Sequence, residues 1–573
     1  MKIRILTENI QGLGLGHIAR SFNLALIFLE MGYEVDFFVR GSISFLDFLK
    51  KQEIAPNLVA NFYPLHIEWL KLCHTGFLEC NICIIDSYQV EDFSLFLKHS
   101  NVLCLLDDDG RHFQLLKNNR KSFLQDSSKY DTQHSQINQK TTQTCNMMRN
   151  KPTKLFVLNP NGYYRTLHVE PDLCDYIFSG LEYAPINPCF RNKNLFQKEK
   201  TYDFFVCLGG EDLQDKSYEI FMQLQSFRKS AIVVVGTNYR GKLLDSEFLC
   251  KDTAEHIEQY RIFHNISQHE IAYLIASAKS CIVSGGGIIF EALSLCDNIF
   301  TINLASNQNE QIALLSEQGL VCEISLPLTQ ASLNMQNNKR HMQNKVGVSL
   351  WDFASNLILH AINTTLQRTQ ESVKNFHIDS LYAVDFCNIS ANEVLNVLEY
   401  RNHEFVRKNM YGSSKISLDG HLNFIKSLQQ DKQNKYFLVQ EHGLDIGVIS
   451  LIRINLKHSH AYLGIYKNPL IHTQKNRENN TLLPCNTSAK TSQSYGTKLM
   501  KVIKHIAFQE YNLNMLYLEV VETNMRAIQL YKQEGFEYLG TLKEGFRVYE
   551  KQHEHFLNIL LYGLKNPTRE CKK

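Results

Sequence analysis

Two segments of the chain combine glycines with residues that could bind a phosphate or move a proton. The first, Gly12 to Arg20 (GLGLGHIAR), directly follows an apolar run, and the second is Ser284–Gly287 (SGGG), with Glu291 four residues beyond it. A glycine turn that opens a helix presents free backbone N–H groups and a favourable helix dipole to an anion. The two segments together therefore indicate a nucleotide-sugar enzyme with two facing α/β domains.

His17 is the residue of the first segment that is suited to proton transfer. Gly14 and Gly16 allow a close backbone approach at the strand-to-helix turn, and Arg20 lies on the same helix face as His17. A histidine in the first helical turn can act as a base, because the helix N-terminus favours its neutral form. The alternative is a tight turn that leaves His17 on the surface. The spacing does not match the GxGxxG dinucleotide fingerprint.

The second segment predicts a site for a nucleoside diphosphate. The N–H groups of the turn would face the diphosphate, and Glu291 would accept hydrogen bonds from ribose hydroxyls. The amide side chains that follow would suit sugar hydroxyls, although such amides are often only loop residues. The expected contacts are Ser284, Gly285, Gly286, Gly287, Glu291, Asn307, Gln308 and Gln311.

An alternation of short apolar runs and amphipathic segments supplies the elements that must position these residues. It is typical of buried parallel strands joined by helices. We expect strands at Ile3–Leu6, Val35–Val39, Ile82–Ile85, Val102–Leu106, Lys154–Leu158, Phe204–Leu208, Ala231–Val235, Cys281–Val283 and Ile299–Ile302. We expect helices at Ile18–Met31, Ile271–Ala278, Ile288–Leu295 and from Leu350 to about Gln367.

The pattern changes after about residue 376. An antiparallel meander is predicted there, followed by a helix after Gly496, a strand at Met515–Val521 and a helix at Met525–Gln533. The chain thus divides into a Rossmann-like domain at 1–175, a second, UDP-binding Rossmann-like domain at 176–370 and an α+β domain at 376–573. Polar insertions are expected at about 117–151 in the first domain and 470–493 in the third.

The composition excludes several classes of protein. Lys and Arg number 60 and Asp and Glu 58 among 573 residues, and this net charge of +2 predicts neither nucleic acid nor a membrane surface as a partner. No apolar run has the length of a membrane span. The 15 cysteines indicate neither a zinc site nor a disulfide framework. We therefore expect a cytoplasmic enzyme that requires no metal.

The motifs GxGHxxR, SGGGxxxE and NQxxQ, in that order, resemble those of the UDP-sugar hydrolases of pseudaminic acid biosynthesis, relatives of the peptidoglycan UDP-GlcNAc transferase with a GT-B fold. The resemblance covers roughly residues 1–365. It implies cleavage of UDP-2,4-diacetamido-2,4,6-trideoxy-β-L-altropyranose to UDP and free sugar, with His17 catalytic and Ser284–Gly287 and Glu291 binding UDP. Asp86 or Tyr88 would hold sugar hydroxyls or acetamido groups, although Asp86 could equally cap a helix.

The last third of the chain resembles the GNAT acetyltransferases. Val520–Phe536 is similar to their strand–Asn–helix–Gly-Phe segment, which implies that Asn524 contacts acetyl-CoA and that Tyr531 protonates the departing thiolate. The implied pyrophosphate loop ends in Ser494, Tyr495, Gly496, Thr497 and Lys498. Thr491 and Ser494 stand where the family has Gln or Arg and Gly, so the loop is less permissive. Tyr531 could instead be a core aromatic residue.

Together the two resemblances imply a GT-B-like pair of Rossmann-type domains followed by a GNAT domain that uses acetyl-CoA as co-substrate. The GNAT domain would acetylate the 4-amino group of UDP-4-amino-4,6-dideoxy-β-L-AltNAc, and the other two domains would then release UDP. Other enzymes of this sugar pathway, which feeds surface glycans or flagellin glycosylation, are candidate partners. Three alternatives remain: another diamino UDP-sugar as substrate, a UDP-sugar glycosyltransferase, or a GNAT domain that only scaffolds.

Overall fold

A computed structural model of the chain divides into two compact units, Met1–Thr364 and Thr365–Lys573. The first unit contains two sheets and the second unit contains one. The residues described are 1–8, 16–40, 58–63, 80–87, 89–90, 93–108, 111–112, 115, 154–161, 175–196, 198–210, 212–250, 259–333, 346–366, 374–471, 494–550 and 553–569. The predicted insertion at 117–151 and nearly all of that at 470–493 lie outside these ranges.

The first sheet has seven parallel strands in the order β3-β2-β1-β4-β5-β6-β7. They are β1 (Ile3–Glu8), β2 (Val35–Arg40), β3 (Leu58–Tyr63), β4 (Cys80–Asp86), β5 (Ser100–Leu106), β6 (Lys154–Asn159) and β7 (Tyr176–Ser179). The helix Gly16–Glu30 follows β1 and the helix Ser94–His99 precedes β5. The strand order reverses between β1 and β4, and a ligand crevice is expected at such a point, beyond the carboxyl ends of the strands.

The second sheet is also parallel, with six strands in the order β10-β9-β8-β11-β12-β13. They are β8 (Tyr202–Cys207), β9 (Ala231–Val235), β10 (Tyr260–His264), β11 (Ala278–Ser284), β12 (Ile299–Ile302) and β13 (Cys322–Glu323). Its helices are Lys193–Phe196, Lys216–Ser226, Gln268–Ala276, Ile288–Leu295, Asn309–Glu317, Gln330–Leu333 and Leu350–Leu366. Here the order reverses between β8 and β11, so the turn after β11 lies at the corresponding place.

The third sheet has eight strands in the order β14-β15-β16-β17-β18-β19-β21-β20. They are β14 (Phe376–Ile378), β15 (Leu381–Asp385), β16 (Lys435–Glu441), β17 (Leu444–Asn455), β18 (His460–Lys467), β19 (Met515–Val521), β20 (Glu537–Glu550) and β21 (His553–Lys565). The helices are Ala391–Asn402, Glu404–Arg407, Leu418–Leu428, Tyr495–His505 and Met525–Gln533, with a π-helical turn at Ile506–Glu510. The parallel pair β18–β19 interrupts an otherwise antiparallel sheet.

All the strands predicted in the two parallel sheets are confirmed, with ends that shift by up to three residues. Cys80 and Cys83 have a CxxC spacing, but both lie within the extended strand β4. No group of three potential metal ligands occurs in the described part of the chain. Among the helices described, none is long and apolar enough to cross a membrane.

The loops that follow β8 and β9 touch through glycines. A Cβ atom on Gly236 would lie 2.5 Å from Gly210 Cα and 2.8 Å from the Gly209 carbonyl oxygen. Real Cβ atoms do not approach backbone this closely, so we predict that Gly236→Ala lowers the free energy of unfolding by about 1–3 kcal/mol. Urea denaturation of the full chain would measure it. Gly540→Ala is the control, because a Cβ there meets nothing within 4 Å; equal stability of the two variants would contradict the prediction.

Candidate active sites

His17 lies in the first turn of the helix after β1 and contacts a carboxylate at the end of β4. Its Nδ1 is 2.5 Å from Asp86 Oδ1, and the His17 side chain is largely buried. Arg20 Nη2 also lies 3.0 Å from Nδ1. The carboxylate can only accept and makes the shorter contact, so we assign the proton to Nδ1. That tautomer leaves Nε2 as the basic nitrogen, which is the arrangement required of a general base.

Asp86, the last residue of β4, is fully buried. It accepts hydrogen bonds from Arg20 Nε at 2.7 Å and from Ser21 Oγ at 2.9 Å, besides its contact with His17. Burial alone would raise the pKa of Asp86, but the charges and hydrogen bonds of Arg20 and His17 hold it well below its usual range. Protein groups thus contact both carboxylate oxygens, so Asp86 is placed to orient His17, and its contact with sugar groups stays a prediction.

Arg20 joins two carboxylates that come from neighbouring strands. It contacts Asp86 and, through Nη1, Asp108, which lies two residues beyond β5. The amide of Asn161 donates to the Asp108 carbonyl oxygen at 2.6 Å and fixes this segment. Arg20 is therefore engaged by two protein carboxylates, and a contact of Arg20 with substrate stays a prediction. The Asp107-Asp108 dipeptide carries the signal for this second carboxylate.

Three further residues were predicted to belong to this site, and the structure describes one of them, Gly16. Gly16 is the first residue of its helix, and a Cβ there would meet nothing within 4 Å, so space is open beside it. Gly14 and Tyr88 lie outside the described residues.

The second glycine turn begins where β11 ends, at Ser284, and leads into the helix Ile288–Leu295. A Cβ on Gly285 would lie 2.7 Å from the Ile312 side chain, whereas one on Gly287 would meet nothing within 4 Å. Packing thus requires glycine at the first position, and the last faces open space. Within the described structure, the N–H groups of Gly286 and Gly287 have no hydrogen-bond partner, so they remain for an anion.

Gln308 and Gln311 hold this turn in place. Gln308 Oε1 accepts from the Gly285 N–H at 3.1 Å, and Gln311 Nε2 donates to the Gly285 carbonyl oxygen at 2.7 Å. The Gly285 N–H is therefore used internally and is not offered to a diphosphate. In the structure the two amides contact the backbone of the turn. Their predicted contact with sugar hydroxyls stays a prediction. Asn307 belongs to the 3-10 turn Ser306–Gln308, and its side chain is not among those described.

Glu291 lies in the first turn of the helix that follows and is 8% exposed. Burial raises its pKa to about 8. Its carboxyl group has no hydrogen bond within the part of the chain described, and the half-buried Cys189 and buried Cys207 lie near it. A carboxyl group that stays protonated at neutral pH can donate to a ribose hydroxyl as well as accept from one.

In the second unit, several residues predicted to contact acetyl-CoA lie at the start of the helix Tyr495–His505, and some of their side chains bind other protein groups. Ser494 Oγ caps the helix by accepting from the Thr497 N–H at 3.3 Å. The Lys498 ammonium group lies 2.6 and 2.7 Å from the two carboxylate oxygens of Glu441. Gly496 allows close packing, because a Cβ there would lie 3.0 Å from Leu530. Contact of this helix N-terminus with the diphosphate of acetyl-CoA stays a prediction.

Strands β18 and β19 separate after a short pairing. Only His460–Tyr462 pairs with Met515–Tyr517, although the strands have eight and seven residues. Beyond that point the facing edges make no ladder with each other. Such an opening exposes N–H and C=O groups with which an amide-containing ligand could pair.

The helix that follows β19 carries the predicted catalytic tyrosine. Asn524 caps it, accepting from the Ala527 N–H at 3.3 Å, and its contact with acetyl-CoA stays a prediction. Tyr531 is buried, and burial raises its pKa to about 12. No described residue forms a hydrogen bond with its hydroxyl. Tyr531 therefore packs in the core. It also keeps a protonated hydroxyl that could act as an acid, so the predicted catalytic role stays a prediction.

Several polar groups of this unit are buried, and sequence reasoning missed one of them, Arg407. Arg401 Nη1 and Arg407 Nε are buried without a hydrogen-bond partner, and His421 Nε2 is in the same state. Burial lowers the pKa of His421 to about 4. Burial also lowers the pKa of Arg401, with the charge of Arg407 adding to the effect. Neighbouring guanidinium groups with unused N–H donors are suited to a phosphate.

Another missed residue is Glu519, which lies on β19 beyond its pairing with β18. Its carboxylate accepts from the Tyr411 hydroxyl at 2.5 Å and from Arg453 Nη1 at 3.3 Å. Tyr411, Arg453 and Glu519 come from separate segments of the chain, so no local motif predicts that they cluster.

Comparison with known proteins finds relatives of two different activities. Residues 395–557 match the family model described as an acetyltransferase (GNAT) domain. The second unit contains a GNAT acetyltransferase domain. The chain is also 27% identical over 170 residues to acetyltransferase PseH of Campylobacter jejuni, which covers 30% of this chain and 93% of that protein. A match to the crystal structure of C. jejuni PseH in complex with acetyl coenzyme A covers 32% of this chain and 98% of the PseH chain, with 22% sequence identity and a TM-score of 0.22.

A second relative has a different activity. The chain is 29% identical over 170 residues to the UDP-2,4-diacetamido-2,4,6-trideoxy-β-L-altropyranose hydrolase of C. jejuni. The match covers 29% of this chain and spans 59% of that enzyme. The chain thus joins a region similar to a UDP-sugar hydrolase and a GNAT domain similar to PseH.

The raised pKa of Glu291 predicts how stability depends on pH. Its ordinary value is 4.5, and the folded value is about 8. The folded state therefore holds a proton that the unfolded state releases. This contribution is fully present below pH 4.5 and is lost as the pH rises to about 8, by at most about 1.4 kcal/mol per pH unit. Glu291→Gln should flatten the pH dependence of the urea midpoint in this range. Glu323→Gln, at an exposed site, is the control, and an unchanged slope in Glu291→Gln would contradict the prediction.

Proposed function

We propose that the chain is a bifunctional enzyme of pseudaminic acid biosynthesis in the cytoplasm. Its GNAT domain, at 376–573, would acetylate the 4-amino group of UDP-4-amino-4,6-dideoxy-β-L-AltNAc. Its domains at 1–175 and 176–370 would cleave UDP from the resulting UDP-2,4-diacetamido-2,4,6-trideoxy-β-L-altropyranose. The observation that carries the hydrolytic half is the buried contact of His17 with Asp86, and the similarity to one acetyltransferase and one hydrolase supports the pairing of the two steps.

In the hydrolytic step, a water molecule attacks the anomeric carbon while the bond from that carbon to the UDP oxygen breaks. UDP leaves with the electron pair, and the Gly286 and Gly287 N–H groups with the helix dipole stabilise its charge. His17 Nε2 takes the proton of the attacking water. The resulting imidazolium is stabilised by Asp86, which stays ionised because Arg20 contacts it. Glu291 binds the ribose.

In the acetylation step, the neutral sugar amine attacks the thioester carbonyl of acetyl-CoA in the opening between β18 and β19. Glu519, at this opening, is the candidate base that removes the proton of the amine. Tyr531 donates its hydroxyl proton to the departing CoA thiolate. Arg401 and Arg407 offer unused N–H donors to the diphosphate of the nucleotide sugar.

The first experiment incubates the full chain with UDP-4-amino-4,6-dideoxy-β-L-AltNAc, with and without acetyl-CoA, and follows the products by NMR and mass spectrometry. We expect free diacetamido sugar and UDP only when acetyl-CoA is present. His17→Ala should stop the reaction at the acetylated nucleotide sugar, because the base is missing but the GNAT domain is intact. An untouched amino sugar, or release of UDP from it before acetylation, would contradict the assignment.

The acid role of Tyr531 is tested with Tyr531→Phe, which keeps the buried ring and removes the proton. We expect kcat for acetylation to fall by about 10²–10⁴-fold, while acetyl-CoA binding measured by calorimetry stays. Tyr511→Phe is the matched control, because burial also raises the pKa of Tyr511 to about 12. Equal rates for the two variants would show that Tyr531 only packs.

A further inference from the structure

A buried histidine, His112, connects the two strand ends that engage Arg20. It lies six residues beyond the end of β5 and is 1% exposed. His112 Nε2 is 2.8 Å from the carbonyl oxygen of Ser87, and Nδ1 is 3.0 Å from the carbonyl oxygen of Leu106. The edge of another ring, that of Phe93, packs against it at a centroid distance of 5.5 Å.

Both neighbours are carbonyl oxygens, which accept, so a ring nitrogen that carries a proton donates to the oxygen that it faces. The Asp107 carboxylate lies nearby, with its Oδ1 4.0 Å from Nδ1. A buried ring that makes two such contacts ties two backbone segments together at a fixed separation.

Those two segments carry the carboxylates of the site. Ser87 directly follows Asp86, and Leu106 stands two residues before Asp108. Arg20 contacts both carboxylates, and Asp86 in turn contacts His17. The separation between the ends of β4 and β5 therefore determines where the Arg20 guanidinium group lies, and with it the position of Asp86 against His17.

Ser87 is held from a second side as well. Its hydroxyl donates to Glu8 Oε2 at 2.5 Å, and Arg40 donates to the same oxygen at 3.0 Å. Glu8 and Arg40 end β1 and β2, so the residue beside Asp86 is fixed relative to three strands. His112 provides the link to the fourth strand, β5.

We propose that His112 is a positioning residue of the hydrolytic site, which sets the spacing of Asp86 and Asp108 and thereby the orientation of His17. The proposal rests on the hydrolytic function proposed above. It requires no contact of His112 with substrate. The loss of its contacts with the two carbonyl oxygens should slow the chemical step and leave the binding of UDP, at the second sheet, unchanged.

The test compares His112→Phe, which keeps the ring against Phe93 and removes both ring nitrogens, with His112→Gln, which keeps one donor group. With UDP-2,4-diacetamido-2,4,6-trideoxy-β-L-altropyranose as substrate, we expect kcat of His112→Phe to fall by about 10²-fold, since small displacements of a catalytic group have effects of this size. KM should change by less than about threefold. His112→Gln should recover part of kcat. His360→Phe, at a ring that packs against Tyr176 in the same unit, is the control.

Three outcomes would overturn the proposal. The first is an unchanged kcat in His112→Phe. The second is a common loss of kcat, UDP binding and folded protein that is equal in the Phe and Gln variants, because that pattern indicates a structural role alone. The third is failure of the unsubstituted chain to release UDP, which is seen before any variant is compared and overturns the proposed hydrolysis together with this inference.

Discussion

A carboxylate that is removed from water at the end of β4 constrains the whole hydrolytic site. An ion buried in this way costs several kcal/mol unless a partner charge and hydrogen bonds replace the solvent. The chain supplies them from one helix turn, where His17, Arg20 and Ser21 all contact Asp86. The helix Gly16–Glu30 begins next to the reversal of strand order between β1 and β4. One set of contacts therefore both stabilises the Asp86 carboxylate and orients the His17 ring. Stability and the proposed catalysis therefore depend on the same atoms, and a substitution that weakens these contacts should affect both.

The sequence predicted the interior of both parallel sheets, because strands buried on both faces need continuous apolar runs. The strands it missed there are β3, β7, β10 and β13, and all four are edge strands. An edge strand has a neighbour on one side only, is often short and tolerates polar residues, so its periodicity is weak. β13 has two residues and β7 has four. The missing information was the position in the sheet, which a local pattern does not contain.

The same distinction applies to the active sites. Residue types and spacing pointed to His17 and to the glycine turn at Ser284–Gly287, because glycine turns and helix N-termini leave a local signature, and the GNAT resemblance pointed to Tyr531. They did not reveal that Gln308 takes the Gly285 N–H or that Lys498 pairs with Glu441. They left Asp86 open between sugar binding and a helix cap, and did not reveal its contacts with His17, Arg20 and Ser21. A polar side chain near a site has two kinds of available partner, the ligand and the protein, and only the folded chain decides between them.

The short pairing of β18 with β19 has a consequence for the stability of the domain. Where the strands part, their facing edges do not pair with each other, and unpaired edges are those along which foreign strands add. A ligand that pairs with these edges would cover them. Since a ligand that binds only the native state stabilises it by mass action, acetyl-CoA bound there would stabilise the folded domain as well as serve as its co-substrate.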